Sequence, residues 1–141
     1  MTGPNEGACH MYKRILVPTD GSELDDAAIK EAATLARESG AKLVLFYAVP
    51  RYQWPPETLE GEAKQVLAYA ATSSNLAGVP VEQQFTVSNS PCEAIIEAAK
   101  AFRCELIIMA SHGRRGVSGV LLGSETQKVL AHSRIPVLVV R

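Results

Sequence analysis

Leu43-Val44-Leu45-Phe46-Tyr47-Ala48 is an unbroken apolar run of strand length, preceded by Ala41-Lys42 and closed by the proline- and aromatic-containing stretch Val49 to Pro56. A strand with one wet face alternates apolar and polar side chains with period two. A run without that alternation predicts a strand, Ala41 to Ala48, covered on both faces, as at the centre of a parallel sheet between two helix layers.

The flanking sequence supplies the layers. Upstream, Leu24, Ala28, Ala32 and Leu35 share one face at helical spacing, Gly40 gives a left-handed stop, and Ser22 with Asp25 reads as a capping box that opens the helix. A first strand, Arg14 to Pro18, precedes it. Downstream, Leu59, Ala63, Val66 and Ala70 repeat at helical spacing until Gly78 and Pro80 break the pattern. Val81 to Val87 alternates, as an edge strand with one exposed face does, and Ser90, Pro91 and Glu93 carry a second capping-box signature with proline at the first helical position. Leu106 to Ala110 and Val137 to Val140 complete five strands, with a fourth helix between them. The alternation indicates an α/β, doubly wound, Rossmann-like parallel sheet with helices on both faces, and with right-handed crossovers the order 3-2-1-4-5 is chosen for it, an order periodicity does not dictate. An apolar strand at the C-terminus leaves an open edge, so a homodimer joined through residues 136–140 is expected.

The 141 residues suit a single domain, read as an N-terminal arm at 1–12, expected to be mobile, followed by the domain at 13–141. With 47% hydrophobic residues and a net charge of -1, the chain has no basic excess that would suggest nucleic acid. Its apolar runs fall short of the roughly 18 residues of a membrane helix, and no leader-like pattern opens it, so a cytoplasmic location without a membrane partner is expected. Cys9, Cys92 and Cys104 form no CxxC pair, and His10, His112 and His132 fall at no metal-ligand spacing, so no metal site is expected. Cys92 at a helix start reads as structural.

In doubly wound sheets, ligands bind beyond the carboxyl ends of the strands where the order reverses, here between the first and fourth strands. The loop after the fourth runs from Ala110 through Ser111, His112, Gly113, Arg114, Arg115 and Gly116 to Gly119, Gly123, Ser124, Glu125 and Thr126. Glycines let backbone amides approach an anion, the following helix adds unpaired N–H groups, and Arg114, Arg115 and Ser124 suit phosphate. The bland alternative is a capping box from Ser124 to Gln127. After the first strand, Pro18-Thr19-Asp20-Gly21-Ser22 offers one strand-end carboxylate, Asp20, for a base or ribose or merely for capping. There is no G-x-G-x-x-G after the first strand and no G-x-x-x-x-G-K-[ST], and the receiver-domain pattern of acid and lysine is missing.

Gly113, the nine residues 114–122 and Gly123-Ser124, with Arg14 to Ser22 and Pro136 to Val140, resemble the universal stress protein family over essentially Lys13 to Arg141. The motif's first glycine is replaced by Ala110, a small change wherever φ is negative. The resemblance implies a stress-response or signalling homodimer that binds ATP or AMP, with Mg2+ an optional companion of ATP. It implies contacts from Asp20 and its neighbours Pro18 and Thr19, from the Ala48 backbone to the base, and from Ala110, His112, Gly113, Arg114, Gly123, Ser124, Glu125 and Thr126 around ribose and phosphates. No Ser-His-Asp, paired-carboxylate or Cys-His arrangement is legible. Slow hydrolysis supported by His112, or a nucleotide-free dimeric interaction module, are the alternatives.

Overall fold

In the computed structural model, which describes residues 12–111 and 122–141, five parallel strands lie in the order β3-β2-β1-β4-β5. They are β1 (Arg14–Pro18), β2 (Lys42–Val49), β3 (Val81–Val87), β4 (Leu106–Ala110) and β5 (Val137–Val140). Four helices connect them: α1 (Asp26–Ser39), α2 (Leu59–Ala71), α3 (Pro91–Ala101) and α4 (Ser124–His132). The expected order is therefore the observed one, and the expected arm lies outside the described residues except for Tyr12, which packs against the core.

The apolar run in β2 does what its composition requires. Leu43, Leu45, Tyr47 and Val49 pack on one face with α1 and α2, while Val44 and Phe46 pack on the other with α3 and α4. Alternate residues of one strand thus feed two separate cores. On the first face α1 contributes Ile29 and the small residues Ala28, Ala32, Ala33 and Ala36, which let the helix lie close to the sheet. Leu24, read as part of that stripe, is instead exposed, because the helix proper begins at Asp26 after a 3-10 turn over Glu23–Asp25. Gly40 ends α1 at φ 76°, the left-handed conformation expected of it.

None of the three sequence-level capping boxes forms a side-chain cap bond. At α1 the Asp25 carboxylate turns inward to Thr19 and Asp20, and at α3 the Ser88 hydroxyl holds the Ser90 amide at 3.0 Å. At α4 Gln127 reaches back to the Leu122 carbonyl at 2.7 Å. β3 is an edge strand as expected, and its Glu82 is held by Arg14 and Lys42 at 3.2 and 3.3 Å. β5 is the opposite edge, with Leu138 36% exposed.

Candidate functional site at the carboxyl end of the sheet

β1 is the shortest way into the site because it stops early. Its pairing with β2 ends at Pro18 opposite Phe46, and the Thr19 amide makes the last bond, 2.8 Å to the Phe46 carbonyl. On the other side of β2 the Leu43 amide and the Val49 carbonyl bond toward β3. Peptide groups of a parallel strand alternate between neighbours. Odd-numbered residues of β2 therefore serve β3, and even-numbered ones serve β1. Ala48 points its N–H and C=O toward β1 at a level where β1 has already turned away, which leaves a notch edged by main chain.

The turn that borders the notch is built by hydrogen bonds among its own residues. Asp20 Oδ1 accepts the Ser22 amide at 2.9 Å, and the Thr19 hydroxyl accepts the Gly21 amide at 3.1 Å. Gly21 sits at φ 84°, where a side chain is strained, and a Cβ there would lie 3.0 Å from Val66 Cγ1 of α2. The Ser22 hydroxyl oxygen is buried with no partner among the described residues. Behind the turn lies Asp25, only 6% exposed, accepting the Thr19 hydroxyl and the Asp20 amide at 2.9 Å each. Burial first, and then the charge of Asp20, push its carboxyl group from 3.8 up to about 7. Sequence reading assigned Asp25 to a helix cap. Nothing in the spacing Thr19, Asp20, Asp25 distinguishes that use from a buried carboxyl pair.

On the other side of β1, β4 delivers Ala110 and Ser111. Two bonds fasten the start of α4 to that strand end: Thr126 Oγ1 donates to the Ala110 carbonyl at 3.0 Å, and the Gly123 amide to the Ser111 carbonyl at 2.7 Å. The Thr126 hydroxyl, 3% exposed, is thus a tether, and the Gly123 amide is likewise engaged. Gly123 has no side chain to cap the amides of Ser124, Glu125 and Thr126, and no bond to them is made among the described residues. Ser124 is exposed beside them. The Glu125 carboxylate faces α3, accepting the Cys92 amide at 3.0 Å and pairing with Lys128 at 3.1 Å. Burial and then the Glu125 charge raise the Cys92 thiol above its ordinary range, consistent with a structural cysteine. Among the described residues the only positive φ outside glycine is at Arg103, so Ala110 occupies its position without strain.

The structure thus brings Pro18, Thr19, Asp20, Ala48, Ala110, Gly123, Ser124, Glu125 and Thr126 to one end of three neighbouring strands. His112, Gly113 and Arg114 lie outside the described residues. Trp54 packs against the α1–α2 core, and Tyr52 is 80% exposed. A groove of about 360 Å³ borders the same turn through Thr19, Gly21 and Ser22, but its far wall is Tyr69 to Asn75, with nothing from β4 or α4.

Comparison with known proteins gives one consistent result. A universal stress protein of Thermus aquaticus is 36% identical over 93% of this chain and 100% of its own length. The solved universal stress protein of Lactobacillus plantarum superposes with a TM-score of 0.68 at 28% identity, covering 92% of this chain and 98% of that one. A universal stress protein solved in complex with cAMP superposes with a TM-score of 0.75 at 25% identity, covering 92% and 97%. The sequence model of the Universal stress protein family matches residues 11–141, which with the strand order and the strand-end site places this chain in that family.

Proposed function

We propose that the notch between Asp20 and Ala48 takes the adenine of a nucleotide, ATP or AMP, whose phosphates lie against the first turn of α4. The observation that carries this reading is the pair of β1-facing peptide groups of Ala48, without a backbone partner among the described residues, beside a strand-end carboxylate. An adenine edge offers an amine donor next to a ring-nitrogen acceptor, which matches a carbonyl or carboxylate next to an N–H. The residues present fit the ligand in two further respects. The Ser22 hydroxyl is a buried polar atom lacking a partner among the described residues, and the α4 amides add a partial positive end. The neighbouring protein bound to cAMP supports the same ligand class. Mg2+ would accompany ATP only, as a counterion of its phosphates.

In this reading the chain holds a nucleotide for a stress-response or signalling role and acts as a homodimer through β5, whose outer edge offers unpaired strand groups. The test is calorimetry of the purified protein with ATP and with AMP, each with and without Mg2+, alongside mass spectrometry of any ligand released on denaturation. Binding is expected, and Asp20→Ala should weaken it about tenfold or more, the loss of one charge-assisted hydrogen bond. An empty protein that ignores both nucleotides overturns the reading. Sedimentation should find a dimer that Val139→Pro, which removes an edge donor, converts to monomer.

A further inference from the structure

Asp25 takes no part in the contacts proposed above, yet three successive residues of the turn depend on it. Its Oδ2 receives the Thr19 hydroxyl and the Asp20 amide, and the Thr19 hydroxyl in turn receives the Gly21 amide. Its carboxyl group is buried close to that of Asp20, whose charge acts on it. A carboxyl group buried beside a carboxylate keeps its proton, because burial disfavours its charged form and two close negative charges repel. One negative charge is then left on the pair. Asp20, the more exposed member, is the one that borders the notch.

We propose that Asp25 is the positioning residue of the adenine-binding turn: it fixes the main chain and carboxylate of Asp20, and its proton decides whether the turn presents one negative charge or two to an anionic ligand. This inference rests on the nucleotide reading above. The described surroundings leave the decision to the pair itself. Among the described residues, the turn contributes Asp20, α1 contributes Asp26, which lines the outer groove, and β4 presents only Leu106, Ile108 and Ala110 on this face. With the proton in place, Asp20 accepts from the base while the turn carries a single charge. Once the proton is lost, a second negative charge appears beside a polyanionic ligand. Affinity therefore falls as pH rises through neutrality, the region to which burial and Asp20 have moved the Asp25 carboxyl group.

The experiment is calorimetric titration of ATP into the wild type and Asp25→Asn from pH 5.5 to 8.5, with a carbon-13 carboxyl titration of the ligand-free wild type. The phosphates of ATP also titrate, but identically for both proteins, so the ratio of the two dissociation constants isolates Asp25. That ratio is expected to rise about five- to tenfold across the range, the effect of one added unit charge at partly screened distance. A merely structural Asp25 would shift the ratio by a constant factor at every pH, and that outcome overturns the proposal. So does a carboxyl titration that finds Asp25 in the ordinary carboxylate range, a measurement that needs no variant to fold. If the wild type binds ATP but the ratio stays flat, this proposal alone falls. If neither protein binds ATP at any pH, the nucleotide reading falls with it.

Discussion

Gly21 shows how a single position can be constrained twice. Its φ of 84° disfavours any side chain, and the space a Cβ would occupy is already limited by Val66 Cγ1 at 3.0 Å. Gly21→Ala is expected to destabilise the fold by about 1–2 kcal/mol through the backbone term alone. Combining it with Val66→Ala should relieve only the contact, leaving the backbone penalty visible in denaturant unfolding. Complete recovery of stability in the double variant would show that the conformation carries no cost. Asp25 is the opposite kind of position. In the sequence it is one more acid near a helix start, and only the folding of the turn over Thr19 reveals it as a buried carboxyl group.

Helix α3 takes part of its start from a distant segment. The Ser90 side chain makes no cap bond, and the carboxylate that receives the Cys92 amide comes from Glu125 on α4, 33 residues away. Glu125→Ala should therefore cost roughly 1 kcal/mol, the size of a lost helix cap, and expose the α3 amides to faster hydrogen exchange although the substitution lies in another helix. Unchanged exchange at Cys92 would refute the cross-helix cap. The episode also shows where sequence reading succeeds and fails. β1, β3, β4 and β5 stand at the residues their patterns indicate, because the periodicity of apolar side chains is imposed by the same burial that holds the strands. Capping signatures misled at three helix starts, since a serine followed three residues later by an acid or amide encodes only the opportunity for a local bond. Thr19, Ser88 and Leu122 offered competing partners that spacing does not display. For the same reason the strand-end placement of Asp20 and of the start of α4 was legible, whereas the bonds that engage Thr126 and Glu125 were not.

Two carboxyl groups should give the folded chain a divided response to acidity. Asp25 is raised from 3.8 to about 7, so the folded state keeps a proton that the unfolded state has released. Its stabilising effect is full below the ordinary carboxylate range and is lost as pH rises toward 7, with no further change above. Glu82 is lowered from 4.5, first by its bond with Gln84 and then by Arg14 and Lys42, so its contribution stands above that value and fails only in acid. The windows barely overlap. Thermal melts between pH 4.5 and 8.5 should show stability falling by roughly 2–4 kcal/mol toward neutrality. In Asp25→Asn that decline should disappear, and an equal slope in both proteins would exclude Asp25 as its source.

The early departure of β1 from its neighbour has a consequence for what heredity can see. A recess bounded by peptide groups is made by unequal strand lengths, so the identity of the side chain at Ala48 is nearly irrelevant to it. Inheritance of such a recess lies in where a strand stops, and a change of side chain that leaves the strand lengths alone leaves the recess in place.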